Sequence, residues 1–147
     1  MKTKYSVYTI ILVLLPFMGI CQDGWKQAGI IACGLIAGFS RGQREVIVHN
    51  KWAYRKVHPN ANEQWWNVDS TWRRADGNSW AGGTLFAFTK DKYHLNQFVT
   101  TVCMAGQTGI SLSLNQKWNF KKIMVQLAIN TGSYILGKGI AHQIYKL

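Results

Sequence analysis

Small side chains repeat every four residues in the region 25–42, and this spacing constrains the fold more than any other feature. Residues four apart lie on one face of an α-helix, and glycine is a poor helix former in water. The spacing therefore predicts a helix against which a second helix packs very closely, as in membrane bundles; a buried helix of a compact domain is the alternative. The two series are Gly29, Cys33 and Ala37, and Gly34, Gly38 and Gly42.

The same spacing returns in a helix that we expect over residues 118–145. Gln126 and Asn130 interrupt its apolar part, which makes the helix amphipathic rather than fully membrane-like. Its small residues are Ala128 and Gly132 in one series, and Ser133, Gly137 and Ala141 in another. Lysines near its ends are expected to reach toward lipid headgroups; they are Lys121, Lys122, Lys138 and Lys146.

The remaining helix boundaries depend on turn-forming residues. A helix is expected to start at Thr89 or Asp91 and to run through Met104 or beyond, with breaks at 106–109 and 112–116. The segment 45–54 either continues the first helix or forms a strand. Together these patterns predict a mainly α fold, a small helical bundle packed through faces of the type small-xxx-small.

The region 58–89 is rich in turn formers and predicts an irregular loop. A disordered loop would not carry several large apolar rings, so we expect an ordered loop that packs over the helices or lies at a membrane surface. Stacking of sugar rings on these residues is a further option, and a structural role in the fold is the alternative. The candidate binding residues are Trp65, Trp66, Trp72 and Trp80.

The first 21 residues follow the pattern of a secretory signal peptide. Lys2 and Lys4 form a cationic start, an apolar run covers 5–20, and small residues precede a cut after Cys21. Lipidation of Cys21 and a retained N-terminal anchor are the alternatives. We therefore expect a protein exported to the periplasm or cell envelope, in which residues 22–147 form a single helical membrane-associated domain.

The chain is strongly basic, with 17 Lys and Arg against 6 Asp and Glu and a net charge of +11. In an exported protein, this charge favours anionic lipid or an envelope polyanion as partner and disfavours nucleic acid. A solvated basic face without a specific ligand is the alternative. Close helix packing is also compatible with an oligomer. Export permits a disulfide between Cys33 and Cys103, although free cysteines are also commonly buried.

Two acid–histidine pairs are the candidates for metal chemistry. Glu45 and His49 are four residues apart, and Asp91 and His94 are three apart, so each pair shares a helix face. Antiparallel helices that brought the pairs together would form a site for a divalent metal such as zinc. An open coordination position would let that metal activate water for hydrolysis. Capping of a helix by Asp91 is the alternative for that residue.

Ordinary structural roles are the alternative for the other ionisable residues. Glu45 is expected to form a salt bridge with Arg41 or Arg44, and His58 and His142 are predicted to be surface residues without a partner. The chain contains no nucleophile elbow, phosphate-binding loop, HExxH helix or paired CxxC motif.

The stretch HPNANEQWWNVDSTWR at 58–73, followed by FAFTKDKYH at 86–94, resembles a group of small hypothetical proteins from Bacteroidota. Those proteins also begin with a signal-like segment and have a middle rich in Asn and Trp. An Asp-x-x-His step, here Asp91 and His94, precedes their apolar C-terminal half. This sequence departs from them at Val68, where the group often has proline, and in its shorter loop after Trp72. The resemblance implies the exported compartment and carries no activity.

These features lead to one main expectation and two alternatives. The main expectation is a membrane-associated envelope protein with a binding or structural role. The first alternative is a metal-dependent hydrolase acting on an envelope substrate through Glu45, His49, Asp91 and His94. The second is a secreted cationic factor that acts on membranes, since basic chains rich in Trp bind anionic bilayers.

Overall fold

The computed structural model describes residues 24–66, 92–114 and 117–146, and these ranges are helical without any strand. The predicted mainly α fold is therefore confirmed. The expected signal segment 1–21, most of the expected loop 58–89, and Asp91 lie outside the described residues. The helices are α1 (Gly24–His49), α2 (Lys51–Val57), α3 (Glu63–Trp66), α4 (Lys92–Leu112) and α5 (Phe120–Tyr145).

Helix α1 is the centre of the bundle, and it packs against both α4 and α5. Its pairing with α5 is parallel, because Gln27 bonds to Gln126, 99 residues further along the chain, and Gly42 lies against Ala141 at the same offset. Its pairing with α4 is antiparallel, because Gly29 near the start of α1 meets Ile110 near the end of α4.

The second series of small residues in α1 forms the contact with α5, as the spacing predicted. A Cβ atom at Gly38 would overlap the carbonyl oxygen of Tyr134, and one at Gly137 would overlap the carbonyl oxygen of Leu35. The two backbones therefore touch at positions where only glycine fits. The residues that face each other are Gly34, Gly38 and Gly42 on α1 and Ser133, Gly137 and Ala141 on α5.

The first series faces α4 instead. Cys33 has its sulfur 3.6 Å from the position of a Cβ on Gly106, and the Ala37 carbonyl oxygen lies 3.4 Å from the hydroxyl of Thr100. The break predicted at 106–109 is wrong, because α4 continues to Leu112. Packing against α1 stabilises this helix despite the poor intrinsic propensity of its glycines.

Two asparagines set helix starts that the spacing left open. The side chain of Asn50 accepts a hydrogen bond from the backbone N–H of Ala53 at 3.2 Å and caps α2. The segment 45–54 is therefore helical on both sides of Asn50, and the strand alternative is wrong. Asn119 caps α5 in the same way, accepting from the N–H of Lys122 at 2.9 Å.

An aromatic cluster joins α2 and α3 to the end of α5. Tyr54 stacks on Tyr145 with 5.7 Å between ring centroids, and Trp66 lies 4.9 Å from Tyr54. The Tyr145 hydroxyl accepts from Gln43 at 2.6 Å and lies 3.0 Å from Nε2 of His58. The prediction that His58 is a surface residue without a partner is therefore wrong: its ring is half-buried in this cluster.

Candidate functional site

Glu45 lies in a charged cluster between α1 and α5. Its carboxylate is 3.3 Å from Nε of Arg41, 2.9 Å from Nζ of Lys138 and 3.4 Å from Nε2 of His142. The expected salt bridge to Arg41 is confirmed. His142 is not the partnerless surface residue that the sequence predicted, and Lys138 reaches this carboxylate.

The electrostatics of this cluster favour a charged carboxylate. Partial burial acts to raise the pKa of Glu45, but hydrogen bonds and attraction from Lys138, with further hydrogen bonds from Arg41 and His142, outweigh it. The pKa of Glu45 consequently lies below its usual value of 4.5. A carboxylate already surrounded by three basic side chains is well suited to holding α1 and α5 together.

The predicted metal ligands do not form a metal group within the described residues. No set of three or more His, Cys, Asp and Glu side chains converges there. His49 is exposed at the end of α1, and His94 on α4 packs edge-on against Tyr93 at 5.4 Å. Because Asp91 lies outside the described residues, the four-residue set with Glu45 stays a prediction.

The two described members of the tryptophan set have different surroundings. Trp66 is 3% exposed and packs inside the aromatic cluster, so its ring has a structural role. Trp65 is half-buried, with Nζ of Lys92 placed 5.3 Å from its ring centroid. Trp72 and Trp80 lie outside the described residues, and their predicted binding role is open.

Polar side chains occupy the interior where α1, α4 and α5 meet. Gln107 directs its amide nitrogen at the carbonyl oxygen of Ile30 and at the hydroxyl of Ser133, both at 3.1 Å. Gln27 donates to Gln126 at 2.9 Å. We call this set the buried polar network; it comprises Gln27, Gln107, Ser111, Gln126, Asn130 and Ser133.

Large apolar side chains lie on the outside of the same helices. Along the first half of α5 they recur at intervals of three and four residues, which places them on one outward face. No helix in the described ranges combines the length and apolar character needed to cross a bilayer. The exposed apolar residues of α4 and α5 include Phe98, Val102, Met104, Leu112, Phe120, Ile123, Met124, Leu127 and Ile135.

Three chain segments meet at one end of the bundle and form a surface that is both basic and apolar. The start of α1 is tied to the turn after α4, because Nζ of Lys26 donates to the carbonyl oxygen of Ser113 at 2.8 Å. The start of α5 lies at the same end of the bundle, because Gln27 bonds to Gln126 and the first residues of α5 extend about 9 Å beyond Gln126. We call this surface the basic apolar end; it comprises Trp25, Lys26, Leu112, Lys117, Trp118, Phe120, Lys121 and Lys122.

The spacing of residues in the sequence predicted only part of this surface. It placed Lys121 and Lys122 at an end of the last helix, but it did not connect them to Trp25 or Leu112, which approach from other helices. The alternation of basic and aromatic residues in KWNFKK at 117–122 is the sequence pattern that could have indicated Lys117, Trp118 and Phe120 as further members of this surface.

Comparison of the chain with models of protein families, with curated proteins and with solved structures gave no match.

Proposed function

We propose that this chain is a membrane-associated protein of the cell envelope with a binding or structural role. The observation that carries the proposal is the distribution of polarity in the bundle. Gln27, Gln107 and Ser133 are almost completely buried, whereas Leu127 and Ile135 on α5 are more than half exposed. A bundle made for water seldom combines several buried amides with so many large exposed apolar side chains.

Lipid as the surrounding medium accounts for both halves of this distribution. Buried amides are costly unless they are hydrogen-bonded, and in lipid the polar groups of a helix bundle pair with one another. Apolar side chains on the outside then lie in a favourable medium. The glycine contacts between α1 and α5 also support the proposal, because helix interfaces in membranes are enriched in small residues that let the backbones approach closely.

The apolar exterior of α5 offers a direct test. The double variant Leu127→Gln and Ile135→Gln changes two exposed positions and leaves the helix contacts in place. We expect the full chain to sediment with membranes after cell lysis, and a much smaller fraction of the variant to do so, because each change removes apolar area from lipid. The measurement is the membrane-bound fraction, before and after extraction with alkaline carbonate.

The matched control changes exposed polar residues of α4. Thr101 and Thr108 donate only to carbonyl groups of their own helix, so Thr101→Gln and Thr108→Gln should leave the membrane-bound fraction unchanged. Recovery of the unaltered chain in the soluble fraction, without detergent, would contradict the proposal. The Leu127→Gln and Ile135→Gln variant could also stay membrane-bound while changing from an oligomer to a monomer. That result would show that a second copy of the chain, rather than lipid, covers the apolar face of α5.

A further inference from the structure

We infer that the basic apolar end is the surface through which this protein binds anionic lipid headgroups. The inference rests on the proposed membrane association and names the partner and the place of contact. It is carried by the position, exposure and charge of residues that come from three separate helices.

The apolar residues of this end are unusually exposed. Trp25 is 75%, Leu112 73% and Phe120 79% accessible to solvent. They belong to α1, α4 and α5. The bond from Lys26 to Ser113 holds the start of α1 to the turn after α4, and the bond from Gln27 to Gln126 aligns α5 beside α1. The parallel pairing of α1 with α5 therefore puts the start of α5 at the same end of the bundle.

Three exposed lysines lie in the segment that carries Trp118 and Phe120. They are Lys117, Lys121 and Lys122, and no acidic residue lies in the first turn of α5. The carboxylates of the described ranges lie elsewhere. Glu45, on α1, is beside Lys138 in the second half of α5, and Glu63 is in α3. Asp23 directly precedes α1 in the sequence and lies outside the described residues.

This combination of side chains matches a bilayer surface better than a soluble polyanion. Lysines near an anionic bilayer each strengthen binding by about fivefold. Tryptophan and phenylalanine gain by entering the region between headgroups and acyl chains. A soluble polyanion would use the lysines alone and would leave the exposed rings in water.

Flotation with lipid vesicles tests this inference on the full chain. The probes are vesicles of phosphatidylcholine alone and vesicles of phosphatidylcholine mixed with phosphatidylglycerol. We expect much tighter binding to the anionic vesicles, with a marked loss of affinity at high salt because exposed charges are screened. The triple variant Lys117→Gln, Lys121→Gln and Lys122→Gln should bind the anionic vesicles about a hundredfold more weakly.

The matched control neutralises three lysines at the other end of the bundle. Lys51, Lys56 and Lys146 lie near the aromatic cluster, about 40 Å from the start of α5, given the rise of an α-helix. The variant Lys51→Gln, Lys56→Gln and Lys146→Gln has the same net charge as the first triple variant, and we expect it to keep nearly full affinity. Equal losses in the two variants would overturn the inference, because net charge alone would then explain binding.

A charge reversal separates loss of binding from loss of fold. Glutamate is favourable in the first turn of a helix, so Lys121→Glu and Lys122→Glu should retain the helical circular dichroism of α5 while abolishing binding to anionic vesicles.

Equal binding of the parent chain to neutral and anionic vesicles would overturn the inference and leave the proposed function standing. Failure to float with either kind of vesicle would overturn both. Binding to heparin without binding to vesicles would assign the lysines to a soluble polyanion and overturn the inference.

Discussion

Gly38 lies directly against the backbone of α5, where a Cβ atom would overlap the carbonyl oxygen of Tyr134. Because the obstructing atoms belong to a helix backbone, neither side can yield cheaply. We expect Gly38→Ala to lower the free energy of unfolding by about 3 kcal/mol. Unfolding by urea in a single mild detergent, followed by circular dichroism, measures the change.

Gly132 provides the opposite case on α5. No atom lies within 4 Å of the position that its Cβ would occupy, so alanine meets no obstacle there. We expect Gly132→Ala to raise the free energy of unfolding by about 1 kcal/mol, the usual difference in helix propensity. If both substitutions destabilised the bundle equally, close approach of α1 and α5 would not be the reason that Gly38 is glycine.

These two glycines also mark how far the sequence predicts the packing. Spacing of four identifies which small residues share a helix face, and it correctly placed Gly38 and Gly137 at a helix contact. Spacing alone does not predict whether a given helix face packs against another helix or is exposed on the outside of the bundle. Ala128 and Gly132 have the same spacing and are exposed, because the partners of α5 are set by the whole bundle.

At the scale of the elements, Gln107 connects α1, α4 and α5. It lies on α4, and its amide nitrogen points at Ile30 of α1 and Ser133 of α5. Gln107→Leu would keep the approximate volume but remove the buried hydrogen bonds from the Gln107 amide to the Ile30 carbonyl oxygen and the Ser133 hydroxyl. We expect a loss of about 1–3 kcal/mol in the free energy of unfolding.

Gln97 is the control for this substitution because it is exposed on the same helix. We expect Gln97→Leu to change the free energy of unfolding by less than about 0.5 kcal/mol. The same urea titration compares the two variants. A Gln107→Leu variant as stable as the parent chain would show that the buried polar network contributes nothing to stability.

The Glu45 cluster gives the contact between α1 and α5 a dependence on pH. The pKa of the Glu45 carboxyl group is lower in the folded chain than the usual value of 4.5, so the folded state favours the charged carboxylate. Its stabilising contribution is complete above pH 4.5 and is lost as the pH falls through the lowered pKa. We expect Glu45→Gln to be less stable than the parent at neutral pH, with a difference that shrinks in acid.

Urea unfolding at a series of pH values checks this dependence. Glu63→Gln is the control, because Glu63 is half exposed and lies 3.8 Å from Arg55, a geometry that contributes little to stability. If the difference in free energy of unfolding between Glu45→Gln and the parent stayed constant down to strongly acidic pH, the Glu45 carboxylate would not be the source of this pH dependence.

The partners of Glu45 show why sequence reasoning identified only part of this site. Arg41 is one helical turn away, and local spacing predicted that contact. Lys138 and His142 lie on α5, almost a hundred residues further along the chain, and only the parallel pairing of α1 with α5 brings them close. His49 follows Glu45 by four residues, yet it is exposed at the helix end.

At the scale of the whole molecule, the buried polar network and the exposed apolar side chains of α4 and α5 belong to one arrangement. The sequence predicted a helical bundle, because periodicity is a local property. It did not predict the basic apolar end, because the start of α1 is far along the chain from the segment 112–122. Lys26 and Ser113, for example, are 87 residues apart, and they come together only once α1 and α4 have packed. Local patterns therefore predicted the elements better than the surface that they build together.

The parallel pairing of α1 with α5 also bears on the order of assembly. The face formed by Gly34, Gly38 and Gly42 cannot pack against α5 until α5 has been synthesised, almost a hundred residues after α1. Pairings between such distant residues form slowly and leave partly folded chains prone to aggregation. We therefore expect the docking of α5 onto α1 to be a late step in folding.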